Sequence, residues 1–185
     1  MRVVVMNERT TPPMMQKRVR RDFIRILALH PTVVMWVELT RWLRYVRALK
    51  NVFRPGDGWV HRFTRGKNPI SINATLSDGT ERWRIIEAHS YLLTRGRRWI
   101  PQPKRKTTVV ILMNLRTFAI VAIVNSHFTN GKRNRRFSLR SRKARERLWR
   151  EQHADTTLIV HNLINRKISV VGGGDLNDLD APPFH

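Results

Sequence analysis

KISVVGGGDLND, residues 167–178, joins a short β-branched apolar run (Ile168, Val170, Val171) to three glycines and then to Asp175 and Asn177. The apolar run predicts a buried strand, and the glycines predict its end and a tight turn. A carboxylate and an amide delivered together on such a turn are held rigidly enough to position a metal ion, a water or a phosphate. Gly-Gly-Gly-Asp is also ordinary turn chemistry, so the rest of the chain has to give the stretch its meaning.

Composition narrows the setting. With 185 residues, 41% of them apolar, the chain suits one domain over residues 1–185 with a core of its own. Cysteine is absent, which excludes disulfide partners and cysteine-based zinc sites and agrees with a cytoplasmic, soluble protein. No apolar run approaches the length of a transmembrane segment, and the valines near the N-terminus are too few for a signal-peptide core. The 36 Lys and Arg against 13 Asp and Glu give a formal charge of +23, which favours a polyanionic partner, DNA or RNA. In so basic a chain, acids are informative where they sit beside apolar strands.

Working outward from residue 167, the preceding segment predicts a helix with Ala144, Leu148, Ile159 and Leu163 on one face. Its approach, residues 132–147, holds nine basic residues against one acid and includes Lys132, Arg133, Arg135, Arg136 and Arg140. Residues 107–112 and 117–128 predict a hairpin through Asn114, Leu115 and Arg116, with Asn125, Ser126 and His127 at its end. Residues 95–106, with Arg97, Arg98 and Trp99, predict a basic loop able to follow a nucleic-acid backbone and stack a base. Further back, strands are expected at 69–74, 83–87 and 89–94, with a hairpin turn at Ser77, Asp78 and Gly79 between the first two. His89 and Tyr91 are site candidates on the last of these, though edge-strand roles suit them equally. Residues 41–66 predict a short helix running into a Pro/Gly turn. Residues 2–6 predict a strand ending at Asn7, residues 14–30 an amphipathic basic helix, and residues 33–39 a buried strand containing Glu38. A carboxylate inside an apolar strand is costly unless it is paired or binds a cation.

Asn7, Glu38, His127, and Asp175 with Asn177 thus stand at or near the ends of four separate strands, which favours one shared phosphate and metal site. The ordered series VVVMN, VVMWVEL, IVNSHF and VVGGGDLND resembles the endonuclease/exonuclease/phosphatase superfamily, whose members include deoxyribonuclease I, apurinic-site endonucleases and phosphoinositide phosphatases. The resemblance spans residues 2–180 in motif order, with only a general likeness over 45–106. It implies an α+β, four-layered αββα sandwich of the deoxyribonuclease I type and hydrolysis of a phosphodiester with Mg²⁺ or Mn²⁺. It also implies roles. Glu38, helped by Asn7, would hold the metal; Asp175 would position or deprotonate the attacking water; Asn177 would orient the phosphate or that aspartate; His127 would donate to a phosphoryl oxygen. Tyr91 would match a phosphate-contacting tyrosine only loosely.

The likeness has a gap. Members of the family normally supply a further acid from a separate strand and a Ser-Asp-His-like ending; here Asp178 and Asp180 stand too close behind Asp175 to be that acid, and His185 is not preceded by an aspartate. The expectation is therefore a C-terminally short domain with an incomplete second β-sheet. Such a domain is expected to act as a nuclease-like hydrolase or, alternatively, as a nucleic-acid-binding protein that has kept the scaffold and lost turnover.

Overall fold

The computed structural model describes residues 1–7, 16–37, 39, 43–62, 68–75, 78–94, 105–129 and 138–177. Valine-rich segments at the two ends of the chain each form a parallel pair. β1 (Val3–Asn7) lies parallel to β2 (Val33–Val37), with Asn7 opposite Val37. β3 (Trp59–Arg62) and β4 (Ile70–Asn73) extend this sheet antiparallel, in the order β1-β2-β4-β3. The second sheet runs in chain order through β5 (Trp83–Thr94), β6 (Arg105–Asn114), β7 (Ile120–His127) and β8 (Ser169–Asp175). Within it β7 and β8 are parallel, joined by a 27-residue helix, α3 (Leu139–Asn165). α1 (Gln16–Leu27) connects β1 to β2, and α2 (Leu43–Val52) follows β2.

Period-two alternation assigns the faces. Val33 and Met35 of β2 and Ile70 and Ile72 of β4 pack on Trp83, Val110, Leu112 and Ile123, closing the two sheets face to face. Val34 and Trp36, on the opposite face of β2, pack with Val19, Phe23, Leu49 and Phe53 of the α1 and α2 layer. Edge-on aromatic pairs fix that layer, with Phe23–Trp36 centroids 4.9 Å apart and Phe53–Trp59 centroids 4.7 Å apart. On the far side, Val109, Ile111, Ala122 and Val124 meet Val160 and Leu163 of α3. The result is the expected αββα sandwich, with four strands in each sheet among the described residues.

Local expectations failed where strands were short or changed sheets. β3 falls inside the stretch expected to be helix and turn; its four residues are too few to display alternation. Strands expected separately at 83–87 and 89–94 form one strand, β5, interrupted only by a register shift between Ile85 and Glu87 and another near its end. The turn before it exists, with Asp78 Oδ1 accepting from the Thr80 N–H at 2.9 Å. It does not pair β4 with β5 as a hairpin, because β4 belongs to the first sheet and β5 to the second; a Thr75–Glu81 bridge and hydrogen bonds from the Arg82 and Trp83 N–H groups to the Ala74 carbonyl tie the two ends of the turn. In α3 the buried residues are Arg145, Leu148, Gln152, Thr156, Val160 and Leu163, so Ala144 and Ile159 flank the inward face instead of forming it. The glycines at 172–174 lie within β8, each paired with β7, and do not end the strand.

One polar chain crosses the first helical layer. The Trp36 indole N–H donates to Ser71 Oγ at 2.8 Å, and Ser71 Oγ lies 2.8 Å from His61 Nδ1. His61 Nε2 faces the Phe53 carbonyl at 2.9 Å. A carbonyl only accepts, so Nε2 carries the proton and Nδ1 accepts from the Ser71 hydroxyl. Burial lowers the His61 pKa; the Phe53 hydrogen bond opposes that shift and the charge of Lys50 adds to it. With the folded value depressed, the unfolded chain takes up the proton first as the pH falls below about 6.5. Urea midpoints are therefore expected to decline as the pH drops below that value and to decline less in His61→Asn, a difference measurable by denaturation between pH 8 and 5.

Candidate active site

The inter-sheet faces end in polar groups. Val3 of β1, Ile123 of β7 and Val171 of β8 line the inter-sheet core, and alternation carries Asn7, His127 and Asp175 onto the same faces at the C-terminal ends of their strands. His127 is the register partner of Asp175. Across the gap between sheets, Asn7 Nδ2 donates to Asp175 Oδ2 at 2.7 Å. Glycine makes this approach possible: a Cβ on Gly173 would lie 2.7 Å from Met35 Cε and 3.0 Å from Val5 Cγ2. β8 therefore sits against β1 and β2 more closely than a side chain would permit.

The turn after β8 is tied from several sides. The Asn177 N–H donates to Asp175 Oδ1 at 3.0 Å, and Asn177 Nδ2 donates to the Phe128 carbonyl at 2.8 Å. The Phe128 N–H returns a bond to the Asp175 carbonyl at 2.9 Å. Trp149 of α3 donates its indole N–H to the Leu176 carbonyl at 2.7 Å. Asn177 adopts φ +52, a left-handed conformation that asparagine tolerates better than most residues. Both Asp175 oxygens thus accept a hydrogen bond, which fixes the carboxylate plane while the side chain stays half-exposed.

No protein-family model and no curated protein sequence matches this chain. Solved structures do. D. rerio TDP2 complexed with a single strand DNA product aligns over 97% of this chain and 61% of its own, at 17% identity and a TM-score of 0.64. An endonuclease/exonuclease/phosphatase from Bacteroides vulgatus aligns over 96% and 66%, at 17% identity and a TM-score of 0.66. Mannosyl-6-phosphatase from Bacteroides thetaiotaomicron aligns over 98% and 67%, at 12% identity and a TM-score of 0.65. The chain has the endonuclease/exonuclease/phosphatase fold. It spans about two thirds or less of the length of these structures, 61–67%.

Within that fold, His127 is the most enclosed of the described site residues, at 2% exposure. Arg105 explains part of this. Its sequence context assigns it to a basic loop, yet it opens β6, is 7% exposed, and sets one guanidinium nitrogen 2.9 Å from each ring nitrogen of His127. Equal distances to both nitrogens mean that the cation does not lie along a single lone pair. The only advance sign of this role was a basic residue placed just before the apolar run at 107–112. Gln152, also unforeseen, grips Thr129 twice, its Oε1 accepting the Thr129 N–H at 2.7 Å and its Nε2 donating to the hydroxyl at 2.8 Å.

Other candidates separate from this cluster. His89 and Tyr91 lie on β5, at the opposite edge of the second sheet from β8, where His89 meets Glu87 at 3.1 Å and Glu87 pairs with Arg166 at 2.7 Å. Arg140 is exposed in the first turn of α3. Glu38, Arg97, Arg98, Lys132, Arg133, Arg135 and Arg136 lie outside the described residues. A concavity of about 500 Å³, lined by Leu27, Pro31, Trp59, Asn73 and Arg82 among others, opens beside the start of β2, away from the strand ends that carry Asn7 and Asp175.

Among the described residues no group of three His, Cys, Asp or Glu side chains could hold a metal ion. The donors that are gathered, an amide and a carboxylate, are hard oxygen ligands. With Asn7 Nδ2 turned to Asp175, its amide oxygen is the end left for a cation. Oxygen donors of this kind suit a hard divalent cation. No helix among the described residues is long and apolar enough to cross a membrane.

Proposed function

We propose that this chain is a divalent-metal-dependent phosphodiester hydrolase acting on nucleic acid. The observation that carries the reading is the 2.7 Å contact between Asn7 and Asp175, which joins the ends of two sheets into one polar site in a chain of charge +23. Asn7 and Glu38 would hold Mg²⁺ or Mn²⁺, which when bound neutralises phosphate charge and acidifies water. Asp175 accepts the proton of the attacking water, and the Asn177 backbone N–H keeps that carboxylate oriented. His127 would donate to a phosphoryl oxygen as charge builds there, and the guanidinium of Arg105 beside it supplies positive potential.

DNA or RNA is the substrate class that the charge favours. The segments carrying Arg97, Arg98, Lys132, Arg133, Arg135 and Arg136 join the described chain at Arg105, which touches His127, and at Thr129, two residues beyond it. The D. rerio TDP2 structure with single-strand DNA supports the same choice. Arg140 would add a contact from α3.

Purified protein incubated with plasmid and single-stranded DNA or RNA is expected to cut in Mg²⁺ or Mn²⁺ and to stop in EDTA. Affinity measured in EDTA should fall by roughly 10³-fold or more between about 50 and 200 mM salt if about six phosphates are contacted. Retained binding without cleavage in either metal would replace the hydrolase with a nucleic-acid-binding protein on the same scaffold.

A further inference from the structure

We propose that Trp149 is the positioning residue of the turn at residues 175–177, and that the polar half of the inward face of α3 is built to support the site. The inward face of this helix is unusual in its order. From its N-terminal end it buries Arg145, Leu148, Gln152 and Thr156 before reaching Val160 and Leu163. An amphipathic helix needs only apolar residues to bind a sheet, so the polar half needs a different reason. The hydrogen bonds supply one. Gln152 holds both polar groups of Thr129, and Thr156 Oγ1 lies 3.3 Å from Thr107 Oγ1, which in turn lies 2.8 Å from Ser126 Oγ. These contacts secure Ser126, just before His127, and Thr129, two residues after it.

Trp149 does the same for the other side of the site. Its indole N–H donates to the carbonyl of Leu176, the residue between Asp175 and Asn177. The ring is set by its neighbours: it stacks on His153 with centroids 5.3 Å apart at 26°, and meets Phe128 edge-on at 6.1 Å. Phe128 is itself bonded through its N–H to the Asp175 carbonyl and through its carbonyl to Asn177 Nδ2. One aromatic cluster therefore braces the strand end after His127 and the turn after Asp175. A bond to the Leu176 carbonyl restrains rotation of the peptide that carries Asn177, whose N–H orients the Asp175 carboxylate. In this role Trp149 acts through Leu176.

Trp149→Phe keeps an aromatic ring against Phe128 and His153 while removing the indole donor together with the second ring, and Trp149→Ala removes the whole side chain, so the pair of variants separates positioning from packing. The first readout is amide exchange by NMR at Asn177 and Phe128, which requires no activity. Exchange at both is expected to quicken at least about tenfold while the thermal midpoint stays near wild type. The second readout rests on the hydrolase reading: kcat should fall roughly 10-fold to 100-fold, with KM within about twofold, because a misplaced carboxylate harms the transition state more than binding. Unchanged exchange in Trp149→Phe overturns the proposal, whatever happens to kcat. Faster exchange in a protein that cleaves no nucleic acid upholds the role of Trp149 and removes the hydrolase reading instead. Trp149→Ala, which also loses the ring, should exceed Trp149→Phe in both readouts; a Trp149→Phe variant indistinguishable from wild type, with only Trp149→Ala impaired, would mark the residue as packing alone.

Discussion

Asp175→Asn is expected to lower hydrolysis by about 10³-fold or more while nucleic-acid affinity stays within about threefold of wild type. The substitution preserves shape but removes the group proposed to accept a proton from water. It also introduces a conflict. Asp175 now accepts from Asn7 Nδ2 at Oδ2 and from the Asn177 N–H at Oδ1; an asparagine must present its own NH₂ to one of those donors. A stability loss of about 1–2 kcal/mol should accompany the loss of activity, too small to unfold an ordinary domain at room temperature, so a thermal midpoint separates the two effects. Asn7→Ala removes one hydrogen bond and one proposed metal ligand but leaves Glu38 and the Asp175 carboxylate, and a smaller fall, roughly 10-fold to 100-fold, is expected. Because the two side chains touch, the double variant should fall short of the product of the single effects. Full turnover by Asp175→Asn would mean that the carboxylate is not the base.

That Asn7, His127 and Asp175 close their strands was legible in the sequence, because each follows a valine-containing run on its own strand. Period-two alternation then sets Asn7, His127 and Asp175 on the faces of Val5, Asn125 and Gly173. Which strands stand next to one another was not legible. Nothing in residues 69–94 marks that the chain leaves one sheet at Asn73 and enters the other at Trp83, because a turn at Asp78 and Gly79 serves a hairpin and a sheet change equally well. The partners of the site were hidden for a related reason. Arg105 resembles its basic neighbours in sequence, and only the fold shows it buried against a residue 22 positions away. Trp149 reads as one more aromatic on a helix, and only the fold carries its indole to Leu176, 27 residues on. Long-range polar contacts of this kind leave no periodic trace.

The glycines show how a correct residue reading can lead to the wrong structural reason, and they yield the largest expected effect on stability. Read as turn residues, all three would owe any cost of alanine to backbone conformation alone. Their pairing inside β8 predicts a steep ranking instead. A Cβ at Gly174 would lie 1.8 Å from the Ser126 carbonyl oxygen, a backbone atom that cannot swing aside, and the residue has φ +133, where side-chain-bearing residues are strained. Ser126 is its register partner, so relief requires β8 to leave β7 and the pairing of His127 with Asp175 to open. Gly174→Ala is expected to cost more than about 4 kcal/mol, a large share of the stability of an ordinary domain. At Gly173 the nearest obstacle is Met35 Cε, the flexible end of a side chain, with Val5 Cγ2 behind it at 3.0 Å. Gly173→Ala should cost about 1–3 kcal/mol and, by easing the sheets apart, should lengthen the Asn7–Asp175 contact and slow turnover. Gly56, where an added methyl group would meet nothing within 4 Å, is the control, and Gly56→Ala is expected to change stability by less than about 0.5 kcal/mol in urea denaturation. Equal midpoints for Gly56→Ala and Gly174→Ala would mean that β8 is not paired to β7 through its glycines, and the close approach that unites Asn7 with Asp175 would lose its physical cause.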